Sequence, residues 1–448
     1  MPPNSEKIAG NEIFNGPIPD HKVSYPELKY PSIRIMKKPV PDMWIKGKRL
    51  DDNAEGLWRV HNKLYDLSTF MEKHPGGKFW IETSQGTDIT EAFESHHISS
   101  NAADRILPKY YVRDAKGPRN SPFTFEENGF YRTLKRKTAP ILKELQRNHK
   151  KTTSVYISDL LLIGAYGFGI MSAMFQSYIC ALISALCLSM CTISAHNFFH
   201  QKDNFRMYYF NISLMSMSEW RITHVLSHHL FTNTLQDYEI IVVEPFLQYL
   251  PLQKSFFARY FPMVYSFIIY FAFFFAPAIV RTIRLILGEI PFKWEYLIGG
   301  ILPTLMYLVS GASFLNVLFW FAIIICVASF HFAFVGLNAA HHHPHIFHEG
   351  DTPREDRDWG LGQLDAVMDR TDINGNQFLV LTNFGEHALH HLFPTVDHAL
   401  LPKLLPVVKE TMKEFNVELR MKSQLELIIG QFKQLIRIKP NDKPINYY

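Results

Sequence analysis

Histidine is the residue type in this sequence whose number and spacing point most clearly to chemistry. The chain has 448 residues, including 21 histidines, and most of the histidines lie in short clusters. A neutral imidazole offers a nitrogen lone pair, which makes histidine the commonest metal ligand among the side chains. The spacing within each cluster therefore decides what the histidines can bind together.

Three clusters have the spacing of metal ligands on one helix face, because residues three or four positions apart lie on the same side of a helix. Eight imidazoles are too many for one metal ion and suit two. Ligation by nitrogen alone suits iron, copper, zinc or nickel, and carboxylates are missing from the clusters. The eight residues are His196, His200, His224, His228, His229, His387, His390 and His391.

Three long apolar stretches lie between these clusters or just before them. Residues 160–195, 260–280 and 296–330 contain 36, 21 and 35 residues without a charge or a histidine. A membrane-spanning helix needs about 20 apolar residues, so the sequence predicts an integral membrane protein. We expect about four crossings. Either each of the last two stretches crosses once, or residues 260–280 lie in the interface and residues 296–330 cross twice.

The charge balance excludes another class of function and indicates an orientation. With 46 Lys and Arg against 42 Asp and Glu, the net charge of +4 gives no case for nucleic acid binding. The N-terminal residues are polar and rich in proline, so we expect no secretory signal there. Residues 116–152 are strongly basic and precede the first apolar stretch, which predicts a cytosolic juxtamembrane helix.

A second kind of histidine site is predicted in residues 41–115, which form a small soluble domain of mixed short elements. Residues 57–60 and 63–67 are typical of two strands joined by a turn at His61-Asn62. His74 is followed by Pro75, Gly76 and Gly77, and two glycines allow the backbone to approach a flat ligand closely. His97 lies 23 residues further on.

This domain resembles the cytochrome b5 family along most of its length. The resemblance implies haem b with His74 and His97 as its axial ligands, and His96 is an alternative to His97. A haem with both axial positions filled passes electrons and does not bind oxygen. The matching residues are Trp58, Tyr65-Asp66, Phe70, His74-Pro75-Gly76-Gly77, 88–93 and His97.

The region from about residue 196 to 394 resembles the membrane fatty acid desaturase and hydroxylase superfamily. Besides the histidines, the matching positions are Thr232-Asn233, Asp237, Asp358-Trp359, Gln363-Leu364 and Leu392-Phe393-Pro394. The resemblance implies that the eight clustered histidines bind two non-haem iron ions. It also implies a ninth histidine four residues after an asparagine that binds iron through water, a spacing that Asn338 and His342 have. His341, His343 and His345 remain alternatives to His342.

Together these patterns predict a small α+β cytochrome b5-like haem domain followed by an all-α transmembrane desaturase-like domain. The expected segments are a flexible arm (1–40), the haem domain (41–115), a basic linker (116–152), the desaturase-like domain (153–435) and a tail (436–448).

The resemblance implies oxygen-dependent desaturation of a fatty acyl or lipid chain, with electrons from the fused haem domain. The implied partners are a cytochrome b5 reductase using NADH or NADPH, an acyl lipid or acyl-CoA substrate, and O2. The implied location is the endoplasmic reticulum membrane, with the haem domain and the histidine clusters in the cytosol. A hydroxylase on the same scaffold, or a membrane-anchored electron carrier with a non-catalytic iron site, are the alternatives.

Overall fold

The computed structural model describes residues 22–36, 39–99, 101–148, 152–337 and 340–445. A small unit with an antiparallel sheet is followed by a largely helical unit, which confirms the predicted fold class. Asn338 lies outside the described residues, as do the first 21 residues of the expected arm and the last three of the tail.

The small unit is built on a sheet with the strand order β1-β2-β3. Trp58 pairs with Tyr65 across a turn in which His61 has a positive φ of 53°, so the predicted strand pair is confirmed. The elements are α1 (Pro41–Asp51), β1 (Trp58–Val60), β2 (Lys63–Tyr65), α2 (Lys78–Thr83), α3 (Thr90–His96), α4 (Ala102–Ile106) and β3 (Tyr111–Asp114), with 3₁₀ turns at Ser32–Ile35, Met71–Lys73 and Leu107–Tyr110.

Helix α1 lies between the two units, although it was expected inside the haem domain. The Trp44 indole donates to the Gln236 carbonyl (2.8 Å) and Asp42 pairs with Arg284 (2.7 Å), both in the helical unit. At its other end, the Asp52 carboxylate accepts from the Asp88 backbone N–H (2.8 Å) in the small unit. The apolar face of α1 packs into the main core, because the short sheet offers too little apolar surface to cover it.

Residues 22–36 differ from the expected flexible arm, because they pack on the helical unit. The Ser24 N–H donates to the Glu349 carboxylate (2.6 Å), and its hydroxyl donates to the Asp351 carbonyl (2.8 Å). Ile33 and Met36 are buried in the main core. A buried carboxylate such as Glu349 needs donors, and this segment supplies one.

The basic linker contains helix α5 (Phe130–Asn148), and several of its cations are engaged by carboxylates. Arg132 and Lys135 both pair with Glu94 on α3, and Lys137 pairs with Glu414. Burial opposes ionisation of Glu94, but hydrogen bonding to His61 and the charges of Lys135 and Arg132 outweigh it and hold the pKa below its usual range. The linker was expected to be a basic helix at the membrane surface. Its ion pairs show that it also connects the small unit to the helical unit.

The first apolar stretch forms a helical hairpin of α6 (Thr153–Phe175) and α7 (Tyr178–Phe199), as predicted. The chain turns at Gln176, whose φ is 52°, and the Ser184 hydroxyl donates to the Ala165 carbonyl (2.7 Å) across the hairpin. The elements that follow are a 3₁₀ helix (Phe205–Ser213), α8 (Met217–Trp220), a π-helix (Arg221–His228), α9 (His229–Phe231) and α10 (Tyr238–Val243).

The remaining apolar stretches form further helices. Among the described residues, α6, α7 and the helix Phe314–Leu337 are long and apolar enough to cross a membrane. The helices Pro262–Ala272 and Phe275–Ile286 add a fourth span if this pair, bent by 56°, counts as one. Both layouts predicted for this region stay open. The elements are α11 (Phe256–Tyr260), α12 (Pro262–Ala272), α13 (Phe275–Ile286), a 3₁₀ helix (Trp294–Gly300), α14 (Ile301–Ser310) and α15 (Phe314–Leu337).

The C-terminal part returns to polar sequence and packs around the ends of the long helices. Strands β4 and β5 pair in parallel, with Asp369 opposite Met421. The elements are α16 (Trp359–Asp365), β4 (Asp369–Arg370), α17 (Gln377–Thr382), α18 (His387–Leu392), α19 (Leu401–Glu414), β5 (Met421–Lys422) and α20 (Gln424–Ile436).

Candidate haem and metal centres

The structure brings the rings of His74 and His97 close together in the small unit, with their planes at 80° to each other. Their ring centroids are 6.3 Å apart. The Nδ1–H of His74 is within 2.9 Å of the Gly77 carbonyl, and the Nδ1–H of His97 is within 2.9 Å of the Phe93 carbonyl. Because each Nδ1 donates to a carbonyl, the Nε2 lone pair of each ring is left for a metal.

This separation fits a haem iron between the two rings. Two imidazoles bound on opposite sides of one metal, with bonds of about 2 Å, have centroids roughly 6 Å apart. Phe70 and Phe93 lie beside the two histidines, with centroid distances of 5.9 Å to His74 and 5.0 Å to His97. The residues present therefore fit the group that the cytochrome b5 resemblance implies.

His96, the alternative to His97, has different neighbours. Its Nδ1–H donates to the Ala92 carbonyl (2.9 Å), and its ring lies 6.1 Å from that of Trp80. Burial lowers the pKa of His96 to about 4, so the ring is neutral. His96 is the last residue of α3, whereas His97 follows the helix end, and this change of backbone direction sends the two rings to different places.

A five-histidine group forms where the long helices meet the polar segments. Its nitrogens lie within 4.8 Å of one another. The Nε2 of His196 is 2.7 Å from that of His224 and 3.1 Å from those of His200 and His390. Two nitrogens bound at right angles to one ion, at about 2.1 Å, are about 3.0 Å apart. The members are His196, His200, His224, His229 and His390, and all are buried.

A four-histidine group lies beside the first, formed by His228, His341, His387 and His391. The nitrogens of His228, His341 and His391 lie within 4.8 Å of one another. The Nε2 of His341 is 3.0 Å from that of His228 and 2.6 Å from that of His387. This second group uses histidines from three separate segments of the chain.

The protonation of the four-histidine group indicates a cation between its rings. Each Nδ1 faces an oxygen acceptor, so the neutral form of each ring has its proton on Nδ1 and its lone pair on Nε2. Lone pairs this close repel one another unless a cation lies between them. The acceptors are the Asp237 carboxylate for His228 (3.0 Å), the Ala366 carbonyl for His341 (3.1 Å), the Phe384 carbonyl for His387 (3.0 Å) and the Gln363 amide oxygen for His391 (2.9 Å).

The π-helix explains how one cluster serves both groups. In an α-helix His224 and His228 would share a face, but the wider turn of a π-helix brings residues five apart together. His224 and His229 accordingly join the five-histidine group, and His228 points to the other. Helix α18 divides its histidines in the same way, with His390 in one group and His391 in the other.

Burial keeps these imidazoles in the form that binds metals. Burial lowers the pKa of His200, His229, His390 and His391 well below the ordinary value. They are therefore neutral at physiological pH. Among the described residues, the Nε2 of His391 has no hydrogen-bond partner, nor do the Nδ1 atoms of His200, His229 and His390. Of these atoms, the Nε2 of His391 lies in the four-histidine group, where a bound metal would satisfy it, since a buried nitrogen without a partner is costly.

Glu239 links the two groups and is a residue that the sequence patterns did not indicate. Its carboxylate bonds to Nδ1 of His224 and lies 3.6 Å from Nδ1 of His228. Burial opposes its ionisation, but His228 and His224 outweigh burial and lower the pKa of Glu239 below its usual range. Asp237, one of the positions that carry the desaturase resemblance, accepts a hydrogen bond from His228. Glu239 lies two residues after Asp237, and this short spacing in the sequence is the signal that could have indicated it.

The structure places His341, and not His342, in the metal site. The ring of His342 stacks on Tyr249, with centroids 3.5 Å apart and planes at 2°. The Met368 N–H donates to the Ala340 carbonyl (3.1 Å), which holds the neighbouring backbone so that His341 faces the group. His343 and His345 pair with each other, at 4.9 Å between centroids. His341, which the sequence left as an alternative to His342, is therefore the one that joins the four-histidine group.

Comparison with known proteins identifies the family of each part of the chain. The fatty acid desaturase family model matches residues 173–423, and the model of the cytochrome b5-like haem/steroid-binding domain matches residues 47–116. The chain belongs to the fatty acid desaturase family and has an N-terminal cytochrome b5 domain. It is thus a desaturase-like oxidoreductase, and both resemblances expected from the sequence are confirmed. The two matched ranges contain every described residue of the haem pair and of the two metal groups.

Several relatives match this chain along most of its length. The "Cytochrome b5-related protein" of Drosophila melanogaster is 44% identical over 93% of this chain and 96% of its own length. The "Delta(5) fatty acid desaturase A" of Dictyostelium discoideum is 23% identical over 85% of this chain and 89% of its own. The "Acyl-lipid (8-3)-desaturase" of Mortierella alpina is 23% identical over 80% and 88%. No solved structure matches significantly.

Proposed function

We propose that this desaturase-family protein carries out oxygen-dependent desaturation of the acyl chain of a lipid or an acyl-CoA, using electrons from its own haem domain. The observation that carries the proposal is the combination, in one chain, of a haem-sized histidine pair with two buried groups of converging imidazole nitrogens. An electron donor and an oxidation site are thereby joined.

His74 and His97 would hold haem b. With both axial positions filled, such a haem transfers single electrons and leaves oxygen chemistry to another site. Tethering the donor to the oxidation site raises its effective concentration, which supports a role as built-in reductant. A cytochrome b5 reductase using NADH or NADPH would in turn reduce the haem.

The five-histidine and four-histidine groups would each hold one non-haem iron ion. When bound, the two ions would supply the reduction of O2 that removal of hydrogen from an unactivated C–H bond requires. Imidazole nitrogens also suit copper, zinc and nickel, and the family match favours iron. The chain's own contribution is to keep His200, His229, His390 and His391 neutral through burial. It also fixes ring tautomers through Glu239, Asp237 and Gln363.

The substrate proposal rests on where the groups lie along the apolar helices. His196 is in the last turn of α7, and His341 follows the end of α15 by four residues. An acyl chain in the membrane could therefore reach the site from its apolar side. Distant relatives named as Delta(5) fatty acid and acyl-lipid (8-3) desaturases support a fatty acyl substrate. We propose the endoplasmic reticulum as location, with both sites facing the cytosol.

The first experiment is metal analysis of the purified full-length protein. The proposal expects about three irons per haem, one in the haem and one in each histidine group. About one iron per haem, repeated after iron supplementation, would contradict it and favour a membrane-anchored electron carrier.

The second experiment is product analysis in cells that express the chain. Desaturation removes two hydrogens from an acyl chain, whereas hydroxylation adds one oxygen, so product mass separates the proposed reaction from its alternative. His228→Ala is expected to abolish product while the haem spectrum is kept. His345→Ala is the matched control, because His345 is an exposed histidine outside both groups. Product formation by His228→Ala would rule out the assignment.

A further inference from the structure

The loop after the first haem ligand touches the helical unit at one tight contact. The Asp203 N–H donates to the Gly76 carbonyl (3.3 Å). Gly77 has a φ of +110°, and a Cβ atom on it would overlap the Asp203 carboxylate. Glycine is therefore required here both for the backbone conformation and for the close approach of the two units.

Arg221 holds this contact from below. Its guanidinium pairs with the Asp203 carboxylate (2.7 Å), and its Nε–H donates to the Phe199 carbonyl (3.0 Å). The guanidinium carbon lies 4.5 Å from the ring centroid of Trp80, which extends from the small unit. Arg221 is 1% exposed, so the contact is a packed interface rather than a surface encounter.

The contact residues lie next to ligands of both sites. Gly76 follows His74 by two positions, Asp203 follows His200 by three, and Arg221 precedes His224 by three. His200 and His224 both belong to the five-histidine group. The loop that follows His74 therefore contacts two segments of the helical unit that each carry ligands of the five-histidine group.

The four-histidine group has its contacts elsewhere. The backbone N–H of His387 donates to the Asp369 carboxylate (2.7 Å), and His341 is held by Ala366. Arg420 donates to the backbone carbonyls of residues 364, 365 and 367 beneath this group. These partners come from the C-terminal part of the chain, and His228 is held by Asp237 rather than by a residue of the haem loop.

Two aromatic side chains extend from the haem pair toward the contact. His96 adjoins His97, and its ring is 6.1 Å from Trp80, which in turn packs into the main core. Among the described residues, the buried Nε2 of His96 has no hydrogen-bond partner.

We propose that electrons enter the metal site at the five-histidine group, through Trp80 and His96, and that Asp203 and Arg221 clamp the haem loop at this position. The inference rests on the proposed function, because it requires haem and iron at the two sites. In each transfer one electron leaves the ferrous haem, which becomes ferric, and one ferric ion of the five-histidine group becomes ferrous. No bond is made or broken, and the cytochrome b5 reductase proposed above restores the haem electron.

The test is the rate of intramolecular haem oxidation in the full-length, iron-loaded protein without oxygen. The haem is photoreduced by a laser flash, and its absorption band reports the loss of the electron. Trp80→Leu is expected to slow haem oxidation about tenfold or more, and Trp80→Phe, which keeps an aromatic ring, to restore most of the rate. The absorption spectrum of the haem should be unchanged in both variants.

Gly77→Ala tests the contact in a second way, because it pushes the loop away from Asp203 while the Trp80 side chain itself is kept. Its matched control is Gly56→Ala, which imposes the same positive-φ strain (φ +80°) where a Cβ meets nothing within 4 Å. We expect slow haem oxidation in Gly77→Ala only. Hydrogen exchange of the backbone amides of residues 76–80 should increase in the same variant, which reports undocking without relying on electron transfer.

The outcomes separate this inference from the proposed function. If the iron-loaded unmodified protein did not oxidise its haem at all, the proposed function would fail. If it oxidised the haem fast and both Trp80→Leu and Gly77→Ala were equally fast, the proposed route alone would be overturned.

Discussion

The two histidine groups differ in how firmly the protein holds their rings. In the four-histidine group an oxygen acceptor holds every Nδ1–H, and three of these acceptors are Asp237, Gln363 and the Ala366 carbonyl. In the five-histidine group the Nδ1 atoms of His200, His229 and His390 have no partner among the described residues. Partners of this kind fix the orientation of a ligand and raise its affinity for metal. The protein alone therefore orients one group, and a bound metal must help to orient the other.

The largest expected effect comes from removing a ring of the firmly held group. His341→Ala should lose one iron, from about three per haem to about two, because His341 contacts both His228 and His387. His342→Ala should keep all the iron, since its ring packs on Tyr249 outside both groups. Iron and haem analysis of the two purified variants measures this. The reverse result would restore His342 as the ligand.

The next effect should touch both groups at once. Glu239→Gln replaces the carboxylate between His224 and His228 by a neutral amide of the same shape. Loss of such a partner lowers metal affinity by about 10- to 100-fold, and here both ions should be affected. Competition with a chelator, monitored by Mössbauer spectroscopy of ⁵⁷Fe, measures the two ions separately. Weakening of only one ion would show that Glu239 does not couple the groups.

A more selective change releases one ring of the firmly held group. Gln363→Leu removes the acceptor of the His391 Nδ1–H, and only the Thr232 hydroxyl (3.3 Å) remains nearby. We expect about tenfold weaker binding in the four-histidine group and no change in the other. The same chelator titration tests this, with the His341→Ala spectrum identifying which signal belongs to which group. Equal weakening of both ions would contradict the assignment.

The smallest effect requires no mutation. In the unmodified protein, a chelator should remove the ion of the five-histidine group a few-fold faster than the ion of the four-histidine group. The reason is that the Nδ1 atoms of three of its rings have no hydrogen-bond partner among the described residues to hold the rings once the ion leaves. The order of signal loss during the titration measures this. Removal of the four-histidine ion first would reverse the comparison between the groups.

Local patterns in the sequence were enough for the haem pair, the clustered histidines and the first membrane hairpin. His74 and His97 belong to one small unit. A glycine pair allows close backbone approach, and a long uncharged stretch favours a membrane helix, whatever the rest of the chain does. These predictions needed only the order of neighbouring residues. Local patterns therefore identified the set of clustered histidines, but they did not indicate which histidine belongs to which of the two groups.

The division between the groups depends on contacts between distant segments. The π-helix separates His228 from its neighbours, the Ala340–Met368 hydrogen bond turns His341 rather than His342 inward, and Glu239 bridges two rings. Helix α1 and residues 22–36 likewise found their partners far along the chain, at Gln236 and Glu349. A one-residue shift in facing direction leaves the local pattern almost unchanged, so only packing in three dimensions distinguishes these alternatives.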